Sequence, residues 1–156
     1  MKKILLSAML TALSVNQAVA LSCLKPDVAE AFKTASASEK SYVILKGKFA
    51  FTPPEATEEP QDASVEASFS GRLLTSTGFT QQVAAPVQVN LICISAWCGR
   101  LEPDAEYIAF VENQNNEKLI FEVDPCSSFA FFEPTIEDTK RVENCAQGGA
   151  CVAAEN

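Results

Sequence analysis

The chain has 156 residues, with 12 basic and 20 acidic side chains, six cysteines, no histidine and a net charge of −8. This acidic balance argues against a nucleic-acid partner, because a phosphate backbone binds to basic surfaces. The lack of histidine removes the common Ser-His and Cys-His nucleophile pairs from consideration.

Residues 1–20 have the pattern of a secretory signal peptide. The basic pair Lys2-Lys3 precedes an apolar run, and Ala18 and Ala20 form an A-x-A cleavage site. The apolar run is too short to cross a bilayer whose hydrocarbon core is about 30 Å thick. No later segment reaches about 18 consecutive apolar residues, so we expect no membrane span.

A second, weaker cleavage site follows Ser22 and would make Cys23 the first residue. A lipoprotein signal usually has a larger aliphatic residue three positions before the cysteine, where this chain has Ala20, so we expect no lipid anchor at Cys23. We predict that residues 21–156 form one exported domain, periplasmic or extracellular. Loss of two lysines with the signal leaves this domain with a net charge of −10.

A short amphipathic helix is predicted near the start of the mature chain. Val28, Ala31, Phe32 and Ala35 recur with the spacing of one helix face. Pro26 suits the beginning of such a helix, because its missing N–H is not needed there.

Three strands with alternating apolar residues are predicted next, over residues 41–51, 65–73 and 87–93. Gly47 and Gly71 lie in the middle of the first and second of them. A glycine inside a strand is typical of a bend or bulge, so we expect the first strand to coil at Gly47.

Two more strands and a second helix complete the prediction. Residues 107–111 and 119–123 read as a hairpin with a loop of about five residues. Thr135 and Asp138 form a capping pattern ahead of a helix over residues 136–145. Five strands with polar alternation and mid-strand glycines favour a small closed barrel. A β-sandwich has similar patterning, but an immunoglobulin-like sandwich requires about seven short strands.

Several segments together resemble the netrin-module family, which includes the amino-terminal domain of the tissue inhibitors of metalloproteinases. The resemblance covers residues 23 to about 126, and it implies a mainly β fold: a five-stranded OB-like barrel with a short N-terminal and a C-terminal helix. The segments, in chain order, are Cys23-Leu-Lys-Pro26, Ala31-Phe32, Val43-Ile-Leu-Lys-Gly-Lys-Phe49, Cys98-Gly-Arg-Leu101, Tyr107-Ile-Ala-Phe110 and Cys126.

All six cysteines follow the signal, which indicates a disulfide framework with 15 conceivable pairings. In the resembled family, a cysteine near the amino terminus is bridged either to the Cys-Gly region or to the cysteine after the last strand. The resemblance therefore favours Cys23–Cys126 with Cys93–Cys98 and Cys145–Cys151. The competing assignment, Cys23–Cys98 with Cys93–Cys126, stays open.

We assign no catalytic residue, no cofactor and no metal ligand from the sequence. The sequence contains no C-x-x-C pair that would indicate a zinc site with thiolate ligands. The acidic loop at residues 55–62 lacks an EF-hand pattern for calcium. A carboxylate pair for glycoside hydrolysis remains an alternative among the 20 acidic residues, although such residues are mostly solvated surface.

Trp97 is the main candidate interaction residue, because an exposed tryptophan beside a cysteine would anchor a partner. Packing against the neighbouring disulfide is the alternative role for this side chain. Lys46 and Lys48 are predicted to point outward from the first strand, as ligand-binding or merely solubilising residues. Three phenylalanines after Cys126 could lie in the core or form an exposed patch. We expect core positions for them: Phe129, Phe131 and Phe132.

These observations lead us to expect a non-enzymatic exported binding module that acts on a protein partner. In the resembled family, the inhibitors chelate the target's zinc with the amine and carbonyl of an amino-terminal cysteine. Cys23 could take that role only in a chain that starts at Cys23. The remaining alternatives are a carboxylate-dependent hydrolase and a lipid-anchored envelope protein.

Overall fold

The structure is a computed structural model that describes residues 23–55 and 59–154. The predicted signal peptide and both cleavage sites lie outside the described residues. The elements, in chain order, are α1 (Val28–Ala37), β1 (Tyr42–Ala50), β2 (Ala63–Thr75), β3 (Gly78–Leu91), β4 (Cys93–Ile94), β5 (Trp97–Cys98), β6 (Glu106–Gln114), β7 (Lys118–Val123), β8 (Ala130–Phe132) and α2 (Ile136–Ala146).

Five strands close into a ring in the order β1-β2-β3-β7-β6 and back to β1. All neighbours are antiparallel except β3 and β7, whose residues Gln88–Leu91 and Ile120–Val123 run in parallel. The predicted mainly β, five-stranded OB-like barrel with a helix near each end is therefore confirmed. The sandwich alternative is wrong, because the five long strands form one closed sheet and not two sheets stacked face to face.

The barrel interior is filled by the apolar residues of one parity on each strand, as the alternation predicts. Phe49 lies at its centre, with its ring centroid 5.0 Å from that of Phe69 and 5.1 Å from that of Phe121. Leu45, Val87 and these three aromatic rings are at most 2% exposed. Burial of each such side chain stabilises the fold by about 1.5–3 kcal/mol.

Gly47 and Gly71 face each other across β1 and β2. A Cβ on Gly47 would lie 2.6 Å from the Cα of Gly71, and the ring of Phe69 packs over both glycines. The register runs through Gly47 without interruption, so the expected bulge is absent there; the irregularity lies between Leu73 and Leu74, in the pairing of β2 with β3. Glycine is needed at these positions for close strand approach.

The two helices cover one outer side of the barrel. Val28 and Val142 are fully buried between the helices and β6, whose Ile108 and Phe110 face them. Because Tyr107 and Val111 of the same strand face the barrel interior, β6 is buried on both faces. This explains why its sequence reads as a continuous apolar run.

Both helix starts are capped by side chains. Asp27 is the N-cap of α1 and accepts hydrogen bonds from the N–H groups of Ala29 (2.9 Å) and Glu30 (3.2 Å). Pro26 thus lies outside the helix rather than in its first turn. The predicted capping box of Thr135 and Asp138 is confirmed at α2.

The chain after α2 folds back onto α1. Cys151 is bridged to Cys145, and the N–H of Ala154 donates to Asp27 Oδ2 at 2.9 Å. Arg141 Nη1 lies 3.1 Å from the same oxygen. The tail is therefore held by Asp27 as well as by its disulfide.

Two boundaries differ from the prediction. β3 begins at Gly78 and not near Val87, because Pro86 interrupts the sequence signal; the strand accommodates this proline since β7 pairs with it only from Gln88 onward. The β6–β7 loop has three residues rather than five, because Asn115 and Asn116 adopt left-handed conformations (φ 54° and 60°) that make a tight turn.

Candidate interaction site at one end of the barrel

One end of the barrel gathers the long connections of the chain. Leu91 and Val123, the last residues of β3 and β7, are register partners. The N–H of Ile92 donates to the carbonyl of Val123 at 3.0 Å, and the N–H of Asp104 donates to that of Phe49 at 2.9 Å. We call this region, which comprises residues 92–105 together with the segments around Cys23 and Cys126, the tryptophan end.

A small disulfide-closed hairpin protrudes from the tryptophan end. Cys93 and Cys98 are both bridged and directly paired, with their Cα atoms 3.9 Å apart. Ile94 pairs with Trp97 one step further out, and Ser95 in the turn has a φ of 57°. Asp62, just before β2, accepts a hydrogen bond from the N–H of Cys93 at 2.6 Å. The hairpin is thus fixed covalently and by its neighbours.

Gly99 fixes the base of this hairpin against the barrel. Its N–H donates to the carbonyl of Ile92 at 2.8 Å. A Cβ at this position would collide with the carbonyl group of Val123. Only glycine allows the hairpin to approach the end of β7 this closely.

The outer pair of the hairpin is exposed to solvent. Trp97 is 58% exposed and Ile94 is 48% exposed. The alternative role for Trp97, packing into the structure beside the disulfide, is at most partial with this exposure. Apolar area in this amount, held on a rigid loop, is typical of residues that contact a partner.

Cys23 lies at the same end of the barrel. It is bridged to Cys126, which follows β7 by three residues, and the N–H of Cys126 donates to Asp124 Oδ1 at 2.7 Å. Leu24 next to it is 89% exposed. The structure thus pairs the cysteines as the resemblance favours, and the competing pairing of Cys23 with Cys98 is absent.

A cleft of about 480 Å³ separates the hairpin from the loop between β1 and β2. Its walls are Pro54 and Pro60 on one side and Ala96 and Arg100 on the other. The acidic loop at residues 55–62, which lacks a calcium-binding pattern in its sequence, lies partly outside the described residues, because these do not include 56–58.

The three ambiguous phenylalanines have two different fates. Phe129 and Phe131 pack on Phe110 under the helices, with centroids 5.6 and 6.0 Å away, as expected for core residues. Phe132 is 49% exposed, and its ring lies 5.5 Å from that of Tyr107. The core expectation is therefore wrong for Phe132, because β8 ends at the barrel mouth.

Tyr107 closes the barrel beneath this mouth. Its hydroxyl accepts a hydrogen bond from the N–H of Glu102 at 2.9 Å. Burial raises the pKa of Tyr107 above its usual value and so favours the neutral phenol further. Tyr107 thus packs in the barrel core and hydrogen-bonds through its neutral hydroxyl to the connection at residues 92–105.

Sequence reasoning singled out Trp97 and Cys23 but missed Ile94 and Leu24. The signal for Ile94 was present: it is an apolar residue between two cysteines only five positions apart, in a loop too short to bury it. Leu24 carried no comparable signal, because its exposure depends on the path of the chain from Cys23 to α1.

Comparison with protein-family models, with curated proteins and with solved structures found no match to this chain. In the described part of the chain, no helix is long and apolar enough to cross a membrane. The described residues also contain no group of three or more acidic or cysteine side chains placed to hold a metal ion. Three disulfides are typical of an exported protein.

Proposed function

We propose that the protein is an exported, non-enzymatic binding module that contacts a protein partner through the tryptophan end. The observation that carries this proposal is the exposure of Trp97, 58%, on a hairpin closed by a disulfide. Tryptophan is enriched among the few residues that dominate protein interfaces.

The rigidity of the hairpin supports this role. The Cys93–Cys98 bridge, the Asp62 hydrogen bond and the close approach of Gly99 to Val123 hold Ile94 and Trp97 in place before any partner arrives. A pre-ordered loop loses less conformational entropy on binding, so more of the contact energy remains as affinity.

Exposed apolar residues beside a cleft with mixed apolar and charged lining give the surface the usual composition of a protein contact site. Leu24, Ile94 and Trp97 would supply apolar contact area, while Glu55, Asp62 and Arg100 line the adjacent cleft. Apolar anchors with a polar rim are typical of protein–protein interfaces.

A photo-crosslinking experiment on the mature protein tests this proposal. A photoreactive phenylalanine analogue replaces Ile94 in one variant and Ile136, which is 73% exposed at the start of α2, in the control. We expect one reproducible protein adduct from position 94 that Trp97→Ala abolishes. Equal adducts from both positions, or none from position 94, would contradict the proposal.

The resemblance to the metalloproteinase inhibitors gives a second candidate function. Its support is the location of Cys23, which its disulfide to Cys126 holds at the tryptophan end. An amine on Cys23 would then lie on the proposed contact surface. The intact mass of the mature protein tests this: a chain that starts at Cys23 supports zinc chelation, and one that starts at Leu21 rules it out.

A further inference from the structure

A second surface, on the outer face of β1 and β2, brings three cations together: Lys46, Lys48 and Arg72. Lys46 and Lys48 point outward from the middle of β1, and Arg72 and Ser70 point outward from β2 directly opposite them. A groove of about 440 Å³ runs over this part of the sheet, with Thr139 of α2 on its far wall. We call these residues the basic groove.

In the described part of the chain, the cations of the basic groove have no carboxylate partner, whereas four other cations do: Lys33, Lys40, Lys140 and Arg141. Lys40 Nζ lies 2.8 Å from a Glu112 oxygen, and Arg141 Nη1 lies 3.1 Å from Asp27 Oδ2. By contrast, Lys48 and Arg72 make no ion pair with any residue in ranges 23–55 and 59–154. Lys46 Nζ donates only to the neutral hydroxyl of Thr139, at 3.1 Å.

This arrangement is unfavourable for the protein alone. Lys46 and Arg72 are register partners, and like charges directly opposite each other destabilise a pair of strands. Within residues 23–55 and 59–154, no carboxylate forms an ion pair with either Lys46 or Arg72. An unfavourable local arrangement that is kept in this way is typical of a site whose ligand supplies the missing charge.

Two carboxylates, Glu106 and Glu143, also line the groove, one toward each end. Glu106 is the register partner of Lys48 on β6, toward the tryptophan end. Glu143 lies at the other end, where its Oε1 accepts a hydrogen bond from the N–H of Phe79 at 3.0 Å. Both would repel a long polyanion that ran the length of the groove. The space between them suits a compact anion.

We infer that the basic groove binds a compact oxyanion of the phosphate or sulfate type between Lys48 and Arg72. The guanidinium of Arg72 offers a planar fork that matches two oxygens of a phosphate group, and Lys48 supplies a second charge. The hydroxyls of Ser70 and Thr139 line the same groove and add neutral donors. This site is separate from the proposed protein contact surface and can succeed or fail without it.

A titration with inorganic phosphate at constant ionic strength, monitored through the amide chemical shifts in NMR spectra, tests the inference. We expect saturable shifts at Gly47, Ser70 and Gly71. Arg72→Gln should weaken phosphate binding by about tenfold or more, since hydrogen bonds to charged groups contribute about 1.5–3 kcal/mol. Lys118→Gln, which removes the same charge from an exposed position at the start of β7, should leave binding within about twofold.

The unfolding temperature gives a second readout that does not depend on NMR. Phosphate should raise it above the value in sodium chloride of equal ionic strength, because a ligand of the folded state stabilises that state. Arg72→Gln should remove this difference while folding normally, since it relieves a like-charge pair. Shifts that never saturate, or equal weakening by Lys118→Gln, would overturn the inference.

Discussion

The two ends of the barrel are stabilised in different ways. At the end opposite the tryptophan end, two tight turns at residues 76–77 and 115–117 join the strands. The hydroxyls of Thr75, Thr77 and Thr80 hydrogen-bond to one another at 3.0–3.3 Å. This turn end satisfies its own polar groups locally.

The tryptophan end instead has long connections, two disulfides and exposed apolar residues. Its disulfides hold Cys23 to Cys126 and Cys93 to Cys98, while Leu24, Ile94 and Trp97 remain in contact with water. Disulfide bonds therefore stabilise the connections at this end, as tight turns do at the other end. The difference indicates that the tryptophan end is stabilised independently of Leu24, Ile94 and Trp97, which remain exposed.

The largest expected effect separates the two disulfides of the tryptophan end. The Cys23–Cys126 bridge spans 103 positions, and the Cys93–Cys98 bridge spans five. In the chain-entropy model, these bridges lower the free energy of the folded state relative to the unfolded state by about 4.7 and about 2.2 kcal/mol, respectively. Serine replacement of both cysteines in each bridge, followed by urea unfolding, measures the two losses.

The functional readout of the same variants should reverse this order. Loss of the short bridge should weaken partner binding more, because it frees the hairpin that carries Trp97. If removal of the long bridge costs no more stability than removal of the short one, the proposed division between scaffold and contact surface fails.

A smaller effect is expected from the hairpin base. Gly99→Ala places a Cβ against the carbonyl group of Val123, and overpacking of this kind costs about 1–3 kcal/mol. Gly148→Ala is the matched control: its Cβ meets no atom within 4 Å, although a φ of 78° adds local strain. Thermal unfolding of both variants should show the larger loss for Gly99→Ala, together with shifted amide signals for Ile94 and Trp97.

Trp97→Ala should change the stability least among the variants of the tryptophan end. Because Trp97 is 58% exposed, we expect the free energy of unfolding to fall by less than about 1 kcal/mol. Binding to the crosslinked partner should weaken by about 2 kcal/mol or more, as at interface hot spots. A stability loss comparable to that of a core substitution would show instead that Trp97 is a packing residue.

The smallest effect concerns Asp27, the N-cap of α1. Asp27 holds the N-terminal segment against the two helices, while the Cys23–Cys126 disulfide holds the same segment at the tryptophan end. Burial pushes the pKa of Asp27 upward, but the N–H groups of Ala154, Glu30 and Ala29 and the charge of Arg141 outweigh it, so the pKa lies below its usual 3.8. Its contribution to stability is therefore present above about pH 3.8 and is lost as the pH falls through the lower folded-state pKa.

Asp27→Asn isolates this charge, because asparagine also caps helices well. The unfolding temperature of the variant should lie below that of the unsubstituted protein at neutral pH, and the difference should vanish in acid. Faster amide exchange at Ala154 should accompany it. A difference that stays constant down to the lowest pH would contradict the assigned pKa direction.

The barrel could be predicted because its signal is local. Alternation at Val65, Ala67 and Phe69, or at Val87 and Val89, marks one buried face of each strand wherever the strand lies in the ring. The capping box at Thr135 is equally local. By contrast, the first half of β3 was missed, since Gln81, Gln82 and Pro86 have low strand preference and pair only because β2 lies beside them.

The site was predictable only in part. Trp97 stood out as the one tryptophan of the chain, next to a cysteine. The position of the hairpin beside the end of β7 depends on the parallel pairing of β3 and β7, which no local pattern reveals. The pairing of Lys46 with Arg72 likewise requires the register of two strands separated by a long loop.

The most direct test of the account is the fluorescence of Trp97, because the chain contains no other tryptophan. Acrylamide should quench it efficiently in the free protein, since the indole is more than half exposed. Addition of the protein partner identified by crosslinking at position 94 should protect it, while the Ile136→Ala control binds and is protected alike. If Trp97 remains fully accessible to acrylamide in the saturated complex, the tryptophan end is not the contact surface.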